Sequence, residues 1–148
     1  MAAPRPRRAD YGYAVPITTR WMDNDVYGHV NNVTYYSYFD TAANHLLIRA
    51  GGLDIHAGPV IALVVESACR YHAPVAYPAA LIAGVRVERL GTRAVTYGIA
   101  VFEDDGAAPE LAVADGHFVH VFVDRGTRRP VAIPAPVRAA LTELVVAR

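Results

Sequence analysis

The sequence predicts an α+β domain in which a five-stranded antiparallel sheet wraps around one long central helix. Three observations carry this. One apolar stripe at helical spacing fills the stretch before Gly51-Gly52. After it, the periodicity changes to four long runs rich in Val, Ile, Tyr and Phe. The connections between those runs are short, which favours antiparallel neighbours, because a parallel crossover needs about a dozen residues or more.

Taken in order, residues 1–12 read as a loose, Pro- and Arg-containing arm, and residues 13–148 as a single domain. The arm is basic, but no apolar signal core follows it. Tyr13 to Arg20 reads as the first strand, and the polar stretch Asp23-Asn24-Asp25-Val26-Tyr27-Gly28-His29 as a turn-rich loop. Asn31 or Asn32 can cap a helix by accepting a hydrogen bond from its free first amides. That helix runs to about Ala50, where Gly51-Gly52 supplies a stop. Val33, Tyr36, Phe39, Ala43, Leu46, Leu47 and Ala50 make its stripe, and the small Ala42 and Ala43 let it lie close against a sheet.

The later strands are expected over Val60 to His72, Leu81 to Leu90, Arg93 to Glu103 and Leu111 to Asp124. Tyr77-Pro78, Leu90-Gly91-Thr92 and Asp104-Asp105-Gly106 punctuate them. Pro134-Ala135-Pro136 starts a C-terminal helix through Leu141 and Val145. The order is strand, helix, then four strands. A helix this apolar is best buried by a sheet that curls around it.

Composition narrows the function. A chain of 148 residues fits one domain with a sizeable core. Fourteen basic and fourteen acidic residues cancel, so no attraction to nucleic acid or membrane surfaces is expected. All fourteen basic residues are Arg, which excludes a lysine Schiff base, lysine-bound pyridoxal phosphate and a P-loop lysine. Arg is well suited to phosphate, because its planar fork donates two parallel hydrogen bonds. Cys69 is the only cysteine, so no intramolecular disulfide forms and a reducing, cytoplasmic compartment is the simpler reading. No apolar run approaches a membrane span.

The chemistry concentrates in the run from Arg20 to Tyr35. It places Asp25 a few residues before the most buried helix. The first amides of a helix lack intrahelical acceptors and carry partial positive charge. Such amides can polarise a carbonyl and hold an oxyanion. A carboxylate beside them can attack that carbonyl or activate water against it. Gly28 would let the backbone approach a ligand closely. Asp and Asn before a helix are also ordinary caps and turn formers, so spacing alone leaves both readings standing.

Other residues sort more simply. His117 and His120 are three apart, which puts them on opposite faces of a regular strand and argues against a joint metal site. Ser37 and Ser67, the only serines, sit in no G-x-S-x-G elbow. Cys69 reads as inert packing, and Tyr35, Tyr36 and Tyr38 as helix packing rather than cofactor contacts. Tyr27 and Tyr35 are candidates to line a pocket. Glu66 interrupts an apolar strand and either helps the site or pairs with Arg70, with the pairing favoured.

The run D-N-D-V-Y-G-H-V-N-N-V-T-Y resembles the active-site motif of hotdog-fold acyl-CoA thioesterases of the 4-hydroxybenzoyl-CoA thioesterase-like family. Its H-V-N-N portion is also similar to plant acyl-carrier-protein thioesterases. The similarity continues through Val64 to Tyr71, Arg89 to Thr92 and Gly116 to Asp124, covering about residues 14 to 133 in the family's order. The resemblance implies a hotdog fold around the Asn31–Ala50 helix, with Asp25 as nucleophile or general base. It gives Asn32 the backbone N–H that polarises the thioester carbonyl. It further implies a site at the interface of a dimer or dimer of dimers, an apolar acyl tunnel, and no metal or prosthetic group, coenzyme A being part of the substrate.

His29 stands where several 4-hydroxybenzoyl-CoA-type enzymes have an apolar residue. It either positions water or substrate, or bonds to backbone at the helix entry. Arg89, Gly91, Thr92 and Arg93 at one turn, and Arg125, Arg128 and Arg129 after the last strand, are candidates for the coenzyme A phosphates. An acyl-carrier-protein substrate is a close variant, although no concentrated basic face is visible to dock it. Two rivals keep the fold: a non-catalytic acyl-CoA binding module, and a hydratase or dehydratase using His29 with Glu66.

Overall fold

The computed structural model describes residues 4–146. The strands are β1 (Tyr13–Thr18), β2 (Val60–Tyr71), β3 (Ala80–Leu90), β4 (Ala94–Glu103) and β5 (Ala112–Asp124). The helices are α1 (Thr34–His45), prolonged by a wider π turn over Leu46–Ala50, and α2 (Ala135–Thr142). The five strands form one antiparallel sheet in the order β1-β3-β4-β5-β2. The fold is therefore the expected α+β hotdog, and each strand lies within two residues of its expected bounds.

The sheet curls because α1 must be covered. Tyr35, Tyr38, Phe39, Ala42, Ala43, Leu46 and Leu47 are all buried, and they meet Val85, Val87, Tyr97, Ile99 and Phe118 from the sheet. Ala42 and Ala43 carry no bulk, so the helix axis approaches the strands closely, as the sequence suggested. The expected stripe is right in its middle and wrong at its ends: Val33 and Ala50 are exposed. Val33 precedes the first residue of α1 and Ala50 closes the π turn, so both lie at the ends of the helical run. The helix stops where the Gly51 amide bonds back to the Leu46 carbonyl and Gly52 takes a φ of 66°.

The N-terminal segment is held on the outer face of the sheet. The Ala112 amide bonds to the Pro6 carbonyl at 2.9 Å, and Arg5 Nε donates to the Ala112 carbonyl at 2.9 Å. Tyr11 packs edge-on against Phe102 and closes a small second apolar cluster with Ala100 and Ala112. Thus the described part of the arm, from Pro4 on, carries defined contacts, whereas residues 1–3 lie outside the described residues.

His117 and His120 do face opposite ways. His120 points into the core, 1% exposed, with Nδ1 3.0 Å from the Tyr97 hydroxyl. Burial pushes its pKa down to about 4. An unfolded histidine titrates near pH 6.5, so between about 6.5 and 4 the unfolded chain takes up a proton that the folded one refuses. Stability should be fully present above that window and fall as pH drops through it, by roughly 3 kcal/mol in total. Urea midpoints measured from pH 7.5 to 4 should show this decline. His120→Gln, which keeps a polar partner for Tyr97, should flatten it; an equal slope in both proteins would refute the assignment.

Candidate active site

The loop between β1 and α1 is built around two carboxylates with different tasks. Asp23 is buried and accepts from the Arg20 amide, the Arg20 guanidinium and the Tyr38 hydroxyl, the last at 2.7 Å. Burial alone would raise its pKa, but these donors outweigh it and hold the carboxyl below the usual range. This turn also explains why β1 ends at Thr18 rather than Arg20: the Arg20 amide is captured by Asp23 instead of a strand partner. Asp23 therefore braces the loop.

Asp25 lies at the neck of the next turn. Its amide bonds to the His29 carbonyl at 3.0 Å, the Gly28 amide returns to its carbonyl at 3.1 Å, and its Oδ1 accepts the Tyr27 amide at 2.9 Å. Gly28 has a φ of 89°, a region where a side chain would strain the backbone, so glycine is required by the turn itself. The turn is tied to the chain ahead of β3 by Val30 to the Val75 carbonyl and by Asn24 Oδ1 to the Tyr77 amide.

The helix entry follows at once. Of the two candidate caps, Asn31 is the one used: its Oδ1 accepts the Val33 amide at 3.1 Å and its carbonyl accepts the Thr34 amide at 2.9 Å. The Asn31 amide bonds to the Asp23 carbonyl. Among the described residues the Asn32 amide alone in this run of four has no acceptor. The Asn32 carbonyl is fixed by the Tyr71 hydroxyl, which donates to it at 2.8 Å from the end of β2.

These groups share a cleft of about 420 Å³. Asp25, Tyr27, His29 and Asn32 form its loop side; Tyr35, Tyr71 and the chain from His72 to Pro74 form the other. Tyr35 is buried and stacks edge-on against both Tyr38 and Tyr71. The structure thus brings together five predicted residues: Asp25, Tyr27, His29, Asn32 and Tyr35.

It does not bring the others there. Glu66 lies in a separate groove on the outer face of the sheet, where its Oε2 is 2.7 Å from His117 Nε2. The expected Glu66–Arg70 pair is not formed, because four residues along one strand span about 13 Å. Each residue uses the neighbouring strand instead, and Arg70 pairs with Asp115 at 2.8 Å. Nor is Glu66 buried. A bulge at Val65, between the Val64 and Glu66 registers, flips the alternation and sends its side chain outward.

Arg89, Gly91, Thr92 and Arg93 line another groove, at the β3–β4 turn, whose carbonyls at Gly91 and Thr92 accept from Arg138 of α2. Arg125 is occupied by the Ile55 and Gly58 carbonyls, both at 2.6 Å, and so holds a loop. Tyr71 and His72 were missed as cleft residues. Their signal was only the inward alternation of β2, which the bulge obscures.

The five-stranded antiparallel sheet curled around one long helix is the hotdog fold. The chain belongs to the thioesterase-like superfamily, whose family model matches residues 19–141. Membership supports acyl-thioester hydrolysis as the general activity. No curated protein matches. Among solved structures, the chain is 55% identical to the PA5185 protein from Pseudomonas aeruginosa strain PAO1, covering 97% of this chain and 99% of that one with a TM-score of 0.93. It also resembles Slr0204, a 1,4-dihydroxy-2-naphthoyl-CoA thioesterase from Synechocystis, at 16% identity, 89% and 96% coverage and a TM-score of 0.77. The BH1999 gentisyl-coenzyme A thioesterase aligns at 20% identity, 87% and 99% coverage and a TM-score of 0.75. These last two likenesses concern the fold alone. Among the described residues no helix is long and apolar enough to cross a membrane.

Proposed function

We propose that this protein hydrolyses acyl-CoA thioesters to the free acid and coenzyme A. The observation that carries the reading is the Asn32 amide, which among the described residues has no acceptor while its neighbours are bonded, in the same cleft as Asp25. The thioester carbonyl oxygen takes that amide as its donor, and Asp25 either attacks the carbonyl carbon, giving an anhydride that water then hydrolyses to the free acid, or removes a proton from a water that attacks directly. The thiolate of coenzyme A leaves without a strong acid, because thiols ionise at modest pKa. Tyr27 and His29 border the entering group and Tyr35 the acyl side. The reaction draws on no further cofactor, coenzyme A arriving as part of the substrate. Two proteins of this fold carry names that specify CoA thioesters, which makes such thioesters the first substrates to test here.

The phosphates are assigned to the exposed Arg89 and Arg93, beside Gly91 and Thr92. They lie in a groove separate from the Asp25 cleft, so this part of the reading goes with self-association. The support for association is the free edge of the sheet. β2 exposes Leu63, Val64 and Val65, the last 61% accessible, and the adjoining loops expose Trp21 at 75% and Val26 at 95%. An apolar edge strand of this kind is suited to pairing with a second copy. Light scattering should give at least a dimer, and Val65→Glu should shift it towards monomer; a monomeric wild type sinks this part. A cytoplasmic location fits the single, unpaired Cys69.

Thiol release from short-chain, long-chain and aromatic acyl-CoAs tests the function. Turnover of at least one class is the expected result. Tight binding without turnover favours a binding module instead. A hydratase using His29 and Glu66 has no support, since the two side chains line different cavities.

A further inference from the structure

Resting on that reading of the cleft, we infer that Tyr71 is a positioning residue for thioester hydrolysis: its hydroxyl sets the orientation of the Asn32 amide that receives the carbonyl. The geometry is a short chain of contacts. Tyr71 donates to the Asn32 carbonyl at 2.8 Å, which fixes the peptide joining Asn32 to Val33. The N–H of that same peptide is held by Asn31 Oδ1 at 3.1 Å. On the other side, the peptide that carries the Asn32 N–H is held through its Asn31 carbonyl, which accepts the Thr34 amide at 2.9 Å, and the Asn31 amide is held by the Asp23 carbonyl at 2.9 Å. Asn32 is thus clamped at both flanking positions, while its own N–H stays unbonded among the described residues.

The clamp comes from a different element than the loop it holds. Asn32 is exposed and precedes the first turn of α1, so nothing within the helix fixes it. Tyr71 reaches it from the last residue of β2, 39 positions away, with its ring set edge-on against the buried Tyr35 at 5.3 Å between centroids. That packing locates the hydroxyl independently of the hydrogen bond. Partial desolvation, with the Cys69 thiol beside it, raises the phenol above its ordinary pKa, so at neutral pH it is a donor. A donor held in place before substrate arrives stabilises developing charge without reorganising, which is the main source of its catalytic value. Removing the hydroxyl frees the Asn32–Val33 peptide, loosens the backbone torsions at Asn32 that aim its N–H, and so lowers that value while leaving the walls of the cleft unchanged.

Tyr71→Phe retains the ring and deletes only the hydroxyl. With the best acyl-CoA from the panel, kcat should fall about tenfold with KM within twofold of wild type, and the thermal midpoint should fall by no more than about 4 °C. A second reading tests orientation directly. Benzoyl-CoA bound to Asp25→Asn protein should show its thioester carbonyl stretch shifted to lower frequency than in water, and the shift should shrink in the Asp25→Asn, Tyr71→Phe double variant. A kcat within threefold of wild type, or an unchanged carbonyl shift, overturns the role of Tyr71. A wild type that turns over no acyl-CoA, or an Asp25→Asn protein as active as wild type, instead overturns the functional reading itself.

Discussion

Asp25→Asn should lower kcat for acyl-CoA hydrolysis by about a hundredfold or more while leaving the protein folded and its substrate affinity close to wild type. The amide is nearly isosteric with the carboxylate and can still accept the Tyr27 amide, the one hydrogen bond made by the Asp25 side chain among the described residues, so the turn around Gly28 is preserved. What it loses is negative charge and basicity. An amide neither attacks a thioester carbonyl nor takes a proton from water. Thiol release measured side by side with circular dichroism separates loss of chemistry from loss of fold. Activity within tenfold of wild type would remove Asp25 from the chemistry and leave it as a turn former.

The expected contrast with Asp23 sharpens that test. Asp23 holds Arg20 and the buried Tyr38 hydroxyl, so its loss acts through the folded state, not through chemistry. Its lowered pKa means this contribution is present above the ordinary carboxylate range and is lost as pH falls through the folded value.

The largest stability effect is expected at Phe39. It is fully buried on the sheet side of α1, with its ring edge-on to Phe118 at 5.9 Å and to Tyr36 at 6.4 Å. Phe39→Ala removes an aromatic ring between the helix and β5, where neither element can collapse without breaking ladder hydrogen bonds. The cost should be about 3–5 kcal/mol. For a chain of this size that is roughly a 10 °C fall in thermal midpoint. Differential scanning calorimetry reads it directly, and a loss under 1 kcal/mol would mean that the helix is not packed as described. Because α1 carries Asn32 at its entry, activity should decline with the folded fraction, unlike the Asp25 variant.

Much of this was legible in the linear chain, and each success has a local cause. The order of elements could be read because period and turn chemistry change sharply after Gly51-Gly52. Opposite faces for His117 and His120 followed from strand alternation alone, and the structure places one in the core and the other on the outer face. The polar, glycine-containing loop before the most apolar helix drew attention to the candidate site, but only the family resemblance of that run separated a catalytic Asp25 from an ordinary turn former. Where these local rules operate undisturbed, the sequence sufficed.

Where they are interrupted, it did not. A single extra residue at Val65 reverses the facing of the residues after it, and neither its existence nor its place has a composition signal. That bulge moved Glu66 outward to His117 and sent Tyr71 inward to Asn32. Which asparagine caps the helix depended on the Asp23 carbonyl reaching the Asn31 amide, and the groove at Arg89–Arg93 depended on where α2 placed Arg138. The chain by itself therefore determined the hotdog architecture and the segment holding the Asp25 cleft, because periodicity and turn residues act over a few neighbours. Only the tertiary structure decided which side chains face that cleft together, because a hydrogen bond spanning 39 residues is fixed by strand register and not by local pattern.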